Sequence, residues 1–328
     1  MRVDNMHTYI IRRLLLMIPT MFLVSIAVFF MIRFIPGSIV ELMAFRMVQA
    51  QTGSEMTAVT PEYIRHSLGL DVPMHVQYGR WVADIFTHGD FGTSLWKNKP
   101  VTQEIIARIP ITFELGLLAF IIALLVALPV GIISAIRQDS WLDYVGRSFA
   151  IIGLAAPSFW LGTMVMVFPS VWWGWSPSVE LIPFFEDPLG NLVQFLIPAT
   201  ILGMSMSAAT MRMLRTTLLE VLRQDYIRTA WSKGLSERIV VMRHAMKNAM
   251  IPVITIIFGQ AFVMIGGAVV IEQIFNLPGM GRLFIDAVFE RDYPYVSGIN
   301  FILASVGLLM ILANDLCYAY LDPRVRYR

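Results

Sequence analysis

Six long apolar stretches constrain this chain more than any other feature. Each has about the 20 residues that a helix needs to cross the hydrocarbon core of a bilayer. Helices are predicted because lipid cannot satisfy exposed backbone groups, and no alternating ten-residue strand pattern is present. The stretches are 14–32, 111–136, 148–168, 192–211, 250–271 and 296–318. We therefore predict an all-α integral membrane protein with six transmembrane helices.

The composition supports this class and excludes others. Hydrophobic residues make up 57% of the chain and charged residues 15%, compared with about 45–50% and about 25% in ordinary globular proteins. Low charge with high hydrophobicity also excludes intrinsic disorder. The single cysteine, Cys317, excludes a disulfide framework and a multi-cysteine metal site. A net charge of +2 gives no general attraction to nucleic acid.

The distribution of Lys and Arg predicts the orientation. Of the 25 basic residues, 16 fall in segments 1–13, 137–147, 212–249 and 319–328, which are all on the side of the N-terminus. Cytoplasmic loops carry an excess of basic residues, so both termini are predicted to be cytoplasmic. The first apolar stretch is longer than a signal-peptide core and has no small-x-small site after it. We interpret it as a retained membrane anchor.

Two long segments between the spans suggest an organisation into parts. Residues 1–35 form the N-terminal tail and first span, and 36–110 are predicted as a helical segment on the outer, periplasmic side. Residues 111–328 form a five-helix core, and its cytoplasmic loop, 212–249, carries eight basic residues.

Helix start and stop signals occur within the outer segment. Thr60 and Pro61 are typical of an N-cap followed by a first helical residue, and Gly69 would end that helix. A second helix is predicted over 78–86 and would be closed by Gly89. The outer segment is therefore predicted to be a small helical cap outside the membrane.

No catalytic or metal-binding pattern is present in the sequence. The chain lacks a phosphate-binding G-x-x-x-x-G-K-[ST] loop, an H-E-x-x-H zinc motif and a G-x-S-x-G elbow. His66, His75 and His88 do not have metal-ligand spacing. We predict neither a catalytic residue nor a metal ligand, and the chain is not expected to be an enzyme.

Two acids, Glu114 and Asp315, fall inside the apolar stretches, each near an end. Intramembrane charges often mark proton or ion pathways. The alternative is anchoring at the interface or a hydrogen bond between helices. A secondary transporter that acts alone would normally show more such residues, and it remains the different-class alternative.

The fourth span is rich in Met and in small residues. Met204, Met206, Met211 and Met213 are interspersed with Ser and Ala. Small residues allow close helix packing, and Met adapts to irregular neighbours. Ordinary packing and a deformable pore constriction both fit this pattern, and Met204 and Met206 are the candidates for the substrate path.

The cytoplasmic loop contains a short capped helix. Asp225 is a plausible N-cap, Lys233 complements the dipole at the carboxyl end, and Gly234 supplies a left-handed residue. Ser236 and Glu237 begin another helix at once. These elements predict a rigid projection that docks a partner. The alternative is a polar loop that only satisfies the positive-inside rule.

The same loop resembles a known family. The run Asp225-Tyr226-Ile227-Arg228-Thr229-Ala230, followed by Lys233-Gly234-Leu235, is similar to the EAA-type loop of bacterial ABC importer permeases, in the form of the B-type subunit of dipeptide, oligopeptide and nickel importers. Arg228-Thr229-Ala230 stands in place of Glu-Ala-Ala. After the first span, Ile35-Pro36-Gly37 resembles the start of the family's Pro-Gly-Asp-Pro motif. Ser38-Ile39 stands in place of its Asp-Pro.

Further motifs of the family follow in order along the chain. They are Leu68-Gly69-Leu70-Asp71, Gly89-Asp90-Phe91-Gly92-Thr93-Ser94, Ala156-Pro157-Ser158-Phe159-Trp160-Leu161-Gly162, Glu272-x-Ile274-Phe275-x-x-Pro278-Gly279-x-Gly281-Arg282-Leu283 and Leu321-Asp322-Pro323-Arg324-Val325-Arg326. The resemblance therefore covers nearly the whole chain.

The resemblance implies a type I ABC importer permease fold in the bacterial inner (cytoplasmic) membrane. The chain would form half of a translocation pathway beside a second, C-type permease. Two ATPases inside would bind ATP and Mg, so this chain would hold no cofactor. A periplasmic or lipid-anchored solute-binding protein would deliver the cargo. That cargo would be a di- or oligopeptide, with nickel complexes, glutathione and oligosaccharides as alternatives.

The resemblance also assigns a role to the short helix. It would be the coupling helix, held in a groove of one ATPase, and the outer loops would meet the binding protein. The residues that match the coupling motif are Asp225, Tyr226, Arg228, Thr229, Ala230, Lys233, Gly234 and Leu235.

Overall fold

The computed structural model describes residues 3–34, 40–44, 62, 65–66, 69–176 and 180–321. The predicted helix start at Thr60 and Pro61, the Ile35-Pro36-Gly37 motif and the motif after Leu321 lie outside these residues. The helices are α1 (Val3–Arg33), α2 (Met74–His88), α3 (Val101–Ile136), α4 (Trp141–Ala155), α5 (Ser158–Trp173), α6 (Pro188–Leu222), α7 (Asp225–Ser232), α8 (Glu237–Ile239), α9 (Met246–Ile274), α10 (Met280–Glu290) and α11 (Tyr293–Leu321). A π-helical turn, Val240–Ala245, joins α8 to α9.

Five helical stretches of the described chain are long and apolar enough to cross a membrane. They are Ile10–Met31, Val101–Ile136, Pro188–Leu222, Glu237–Ala261 and Tyr293–Cys317. A sixth crossing results if α4 and α5 are counted as one broken span. The all-helical membrane fold predicted from the sequence is confirmed.

The predicted third span, 148–168, is wrong as a continuous helix. The axes of α4 and α5 differ in direction by 91°. Between them Ala156 is extended, with φ −82° and ψ 116°. Pro157 has no N–H to donate, and its ring disfavours the helical conformation of the residue before it. The Ala156-Pro157 pair therefore ends α4 and permits a sharp change of direction.

The chain divides into two compact units. Unit 1 contains residues 1–13, 109–282 and 306–328, and unit 2 contains 14–108 and 283–305. In unit 1, α3, α6 and α9 share a buried core that includes Leu115, Phe195 and Ile271. A Cβ on Gly203 of α6 would lie 2.7 Å from the backbone oxygen of Ala119 in α3. The absence of a side chain at this glycine lets the two helices approach closely.

In unit 2, Gly89 ends α2 as the sequence predicts, and Gly69 has the left-handed conformation predicted for it. Gly69 and Gly89 both have φ +64°. The N–H of Gly69 donates to the carbonyl of His66, and the N–H of Gly89 donates to that of Ile85. The helix before Gly89 begins at Met74 rather than at residue 78.

Aromatic side chains of α2 pack along α1 and α11 within unit 2. The Tyr78 hydroxyl is 2.8 Å from the Ser25 hydroxyl, and the Tyr78 ring lies 5.3 Å from that of Phe29. Trp81 and Phe301 make an edge-on contact at 5.9 Å. Ser25, Phe29 and Phe301 belong to the apolar stretches of α1 and α11. The α2 part of the outer segment is therefore packed against two spans rather than set apart from them.

Candidate docking site on helix α7

Helix α7 begins one residue earlier than an N-cap at Asp225 requires. Gln224 occupies the N-cap position, with φ −74° and ψ 149°, and Asp225 is the first helical residue. The predicted N-cap role of Asp225 is therefore wrong. Its side chain is 96% exposed and lies 3.5 Å from Nη1 of Arg228. A carboxylate in the first turn still interacts favourably with the helix dipole.

The carboxyl end of α7 has the predicted geometry. Lys233 is the C-cap residue and Gly234 has φ +74°. The Gly234 N–H donates to the carbonyl of Trp231 at 2.9 Å. Ser236 precedes α8 in an extended conformation, as a helix start requires, but its side chain makes no capping bond. The predicted short helix, glycine turn and second helix are confirmed.

One face of α7 is buried. Ile227 is 0% exposed and Ala230 is 6% exposed. They belong to a set that we call the α7 cluster, which consists of Ala135, Leu218, Ile227, Ala230, Val240, Val241, Ala245 and Ala249. Burying an Ile side chain contributes about 1.5–3 kcal/mol. The cluster therefore fixes α7 to the ends of α3, α6 and α9.

The other face of α7 is exposed and carries aromatic and charged side chains. Tyr226 is 43% exposed and Trp231 is 44% exposed, and Arg228 and Thr229 are also exposed. The Tyr226 hydroxyl accepts a hydrogen bond from Nδ2 of Asn248 at 2.8 Å. Exposed Tyr, Trp and Arg side chains are typical of the residues that dominate protein–protein binding.

The eight residues matched to the coupling motif thus form two groups, one that points into the α7 cluster and one that points outward. Ala230 is buried, and Leu235 is half-buried against the α7 cluster. The other six residues are exposed. The outward set can contact a partner, whereas the inward pair holds the helix in place.

A buried ion pair fixes the start of α4 to α6. Asp143 is 0% exposed. Its two carboxylate oxygens accept from Nε and Nη2 of Arg215 at 2.7 Å and 2.6 Å, and the N–H of Asp139 donates to it at 3.0 Å. Paired bonds of this kind are strong and directional. Sequence reasoning missed the pair because its members are 72 residues apart.

A second buried carboxylate organises the turn between α9 and α10. Glu272 is 0% exposed and accepts from the Thr112 hydroxyl at 2.6 Å and from the Arg282 N–H at 2.9 Å. The Thr112 hydroxyl in turn accepts from the Met280 N–H at 2.8 Å. A Cβ on Gly279 would overlap the carboxylate. The sequence contains this motif, but nothing in it indicates a buried network.

The Met residues of α6 have different surroundings. Met211 is 1% exposed and packs with Ala127, Ala150 and Ala208, which is ordinary helix packing. Met204 and Met206 are half-buried, and the carbonyl of Met206 accepts from Nε2 of Gln260 at 3.0 Å. The assignment of Met204 and Met206 to a substrate path stays a prediction.

The two intramembrane acids have polar neighbours. Oδ2 of Asp315 lies 2.8 Å from Nη1 of Arg13, so this acid connects α11 to α1. Glu114 lies beside Asn191 of α6. Among the described residues no group of three or more His, Cys, Asp or Glu is placed to hold a metal ion.

The chain matches known proteins over almost all of its length. Residues 127–327 match the family described as binding-protein-dependent transport system inner membrane component. The chain belongs to this family. Residues 6–116 match the N-terminal model for the same kind of membrane component. A member of the family is a transport subunit rather than an enzyme, and it works with an ATPase and a substrate-binding protein. The resemblance to ABC importer permeases is confirmed.

Relatives within the family support the same assignment. The putative peptide transport system permease protein of Brucella abortus (strain 2308) is 42% identical over 98% of this chain and 100% of its own length. The glutathione transport system permease protein GsiC of Salmonella paratyphi A (strain ATCC 9150 / SARB42) is 36% identical over 98% of this chain and 100% of its own length.

A solved structure shows that the fold recurs at low sequence identity. A chain of the inward-facing methionine ABC transporter MetNI aligns with a TM-score of 0.53 and 12% identity, covering 67% of this chain and 97% of that chain. The permease fold predicted from the sequence is therefore confirmed.

Proposed function

We propose that this chain is the permease subunit of an ATP-driven ABC importer for di- and oligopeptides. It forms half of the translocation pathway and docks one ATPase through α7. The observation that carries the docking role is the two-sided character of α7. Ile227 and Ala230 are buried in the α7 cluster, while Tyr226, Arg228 and Trp231 are exposed.

The contacts of α7 suggest how ATP-driven motion reaches the spans. The α7 cluster joins α7 to α6 through Leu218 and to α9 through Ala249, and Tyr226 is hydrogen bonded to Asn248 of α9. A closely packed core moves as a unit between discrete arrangements. A displacement of α7 by an ATPase would therefore shift the inner ends of both helices.

The proposed assembly contains this chain, a C-type permease, two ATPases that bind ATP and Mg, and a periplasmic or lipid-anchored solute-binding protein. The chain lies in the bacterial inner membrane with both termini in the cytoplasm. Reporter cysteines test this orientation in a Cys317→Ala background. Cysteines at Gln138 and Lys233 should react with a membrane-impermeant maleimide only in inverted vesicles. One at Glu186 should react only in intact cells.

A pull-down of the tagged chain from gently solubilised membranes tests the assembly. Mass spectrometry should identify two ATPase subunits and a second permease. Recovery of the chain alone or as a homodimer would instead favour a stand-alone secondary transporter. In that case Glu114 and Asp315 would be the first residues to test.

The variant Gly234→Pro tests the coupling role. Proline fixes φ near −65°, which is incompatible with the left-handed turn, and removes the N–H that bonds Trp231. We expect normal membrane insertion and at least a tenfold loss of ATP-driven peptide uptake in proteoliposomes, since a strained turn misplaces α7. An Arg223→Gln variant, changed at an exposed residue just before α7, is the control. Unchanged uptake by Gly234→Pro would disprove the coupling role.

Glutathione is a second candidate cargo because the relative from Salmonella paratyphi A is named for its transport. Glutathione is itself a tripeptide, so one pathway could admit both cargos. Uptake of a labelled dipeptide, glutathione, a nickel complex and an oligosaccharide by the reconstituted importer distinguishes these cargos. Uptake of peptide and not of the other three would support the proposed function.

A further inference from the structure

An open groove lies beside the α7 cluster, between the end of α3, the start of α4 and the π-helical turn. Its lining is mostly apolar and includes Ile133, Leu142, Val241 and Met242. Met242 is 55% exposed, Ile133 44% and Leu142 38%. Contiguous exposed apolar surface on a protein usually marks a place that another molecule covers.

Two guanidinium groups, those of Arg137 and Arg238, also line this groove. Both residues are exposed, and neither side chain forms an ion pair or hydrogen bond in the part of the chain that the structure describes. By contrast, the Arg215 guanidinium forms an ion pair with the Asp143 carboxylate. The lining contains one acid, Glu237. The groove therefore has a net positive charge beside an apolar floor.

The groove lies where the chain passes from apolar to polar sequence. The apolar run of α3 ends at Ile136, and Arg137 begins a polar turn. Helix α4 then begins with Trp141, which is 71% exposed, and Tyr144 is 56% exposed. Aromatic side chains of this kind are enriched at the level of lipid headgroups. The guanidinium groups are thus placed at headgroup level and the apolar floor beside the hydrocarbon.

We propose that this groove binds one anionic phospholipid. Arg137 and Arg238 would hold its phosphate, since guanidinium groups bind phosphate through paired, charge-assisted hydrogen bonds. Its acyl chains would cover Ile133, Leu142 and Met242. Basic pockets between transmembrane helices on the cytoplasmic side bind anionic headgroups in this way. The proposal takes this end of the spans as cytoplasmic, as the proposed function does.

A lipid fits the surroundings of the groove better than a protein does. The exposed apolar surface continues from Leu142 along α4, where Val145 is 58% exposed and Ile152 is 66% exposed. A bilayer supplies a cover for that entire surface. Val241 lines the groove and also belongs to the α7 cluster. A bound lipid would therefore stabilise the packing that holds α7 in place.

Native mass spectrometry of the detergent-purified full chain tests the proposal without any measurement of transport. Equal amounts of dioleoylphosphatidylglycerol and dioleoylphosphatidylcholine are added, and the retained lipid is counted. We expect about a tenfold preference for phosphatidylglycerol, because the choline cation of phosphatidylcholine offsets its phosphate charge and would be repelled by the two arginines. The double variant Arg137→Gln/Arg238→Gln should lose this preference. The double variant Arg212→Gln/Arg223→Gln, changed at two exposed arginines outside the groove, should keep it.

Three results would overturn the proposal. They are equal retention of the two lipids by the parent chain, the same preference in both double variants, and loss of phosphatidylglycerol binding whenever ATPase subunits are present. The last result would assign the groove to the ATPase contact. Because the assay reads lipid mass rather than uptake, a failure here leaves the proposed transport function standing, and a transport failure leaves this result valid.

Discussion

Glu272, near the end of α9, accepts a hydrogen bond from the hydroxyl of Thr112 in α3 at 2.6 Å, across 160 residues of sequence. The same carboxylate accepts the backbone N–H of Arg282 in α10. One fully buried side chain therefore joins three helices, and the turn between α9 and α10 is closed around it.

Replacing Glu272 with glutamine should destabilise the protein by about 1–3 kcal/mol, the cost of leaving a buried polar group unsatisfied. Glutamine offers one carbonyl oxygen in place of two carboxylate oxygens, so either the Thr112 hydroxyl or the Arg282 N–H loses its acceptor. Thermal unfolding in detergent measures the effect. The control is Glu186→Gln, changed at an exposed residue, which should stay within about 0.5 kcal/mol of the parent. Equal unfolding of the two variants would show that the network is not needed for stability.

Breaking the pair between Asp143 and Arg215 should cost about 3–5 kcal/mol when only the arginine is removed. In Arg215→Met the Asp143 carboxylate stays fully buried and loses its charged partner. The double variant Asp143→Asn/Arg215→Met should lose less stability than the sum of the two single variants, because the two residues interact directly. Denaturant unfolding measures all three, with Arg212→Met as an exposed control. Strict additivity would contradict a direct interaction.

The stability of unit 2 should depend on pH through Asp292. This residue is 0% exposed and accepts from the Ser94 hydroxyl at 2.5 Å, and burial raises the pKa of its carboxyl group. Because the folded state holds this proton more tightly than the unfolded state does, the contribution is present below pH about 4 and is lost as pH rises through the raised pKa. In Asp292→Asn this loss is absent.

The measurement for Asp292 is the melting temperature of the parent and of Asp292→Asn between pH 4 and pH 7. The stability of the variant relative to the parent should increase as the pH rises through the raised pKa of Asp292. Asp90→Asn, the same change at an exposed residue of the same unit, is the control for the substitution itself. A difference that does not vary with pH for Asp292→Asn would mean that its ionisation is not linked to folding.

Substitutions on the two faces of α7 should affect different properties of the protein. Ile227→Ala removes a fully buried side chain and should cost about 2–5 kcal/mol. Trp231→Ala changes a side chain that is 44% exposed, and we expect little effect on thermal unfolding. It should nevertheless reduce co-purification of the ATPase about tenfold, since Trp side chains dominate many interfaces. Undiminished co-purification by Trp231→Ala would argue against the exposed face as the docking surface.

Local signals in the sequence predict those structural features that depend on the type of a single residue, such as a glycine turn at the end of a helix. Gly69, Gly89 and Gly234 all adopt the left-handed conformation that their positions suggest, because glycine has no Cβ to oppose it. Five of the six apolar stretches likewise lie within long helices, because their length and composition leave no other structure in lipid. The stretch 148–168 is instead divided between α4 and α5. The family resemblance identifies the loop that carries the coupling motif. Only the packing of α7 shows which of its residues point inward and which point outward.

The remaining features depend on contacts that no local pattern carries. Asp143 and Arg215 look like ordinary residues of a basic inner region until the fold brings them together. Residue type favours Asp225 as the N-cap of α7, because acidic N-caps are common, but the backbone places Gln224 at that position. Pro157 lies in the middle of the predicted span 148–168, but Pro129 and Pro198 also lie within predicted spans and their helices continue past them. A proline alone therefore does not predict the bend after Ala155.

The π-helical turn Val240–Ala245 determines the rotation of α9 about its axis relative to α7. A π turn holds about one residue more than an α turn, and one residue corresponds to a rotation of about 100° in a regular helix. If that extra residue were deleted, every side chain of α9 would turn by that angle relative to α7, and Gln260 would no longer face Thr210, its present partner at 2.8 Å. The number of residues in this turn therefore determines how far α9 is rotated about its own axis relative to α7. This rotation determines which side of α9 contacts α6 when α7 is packed in the α7 cluster.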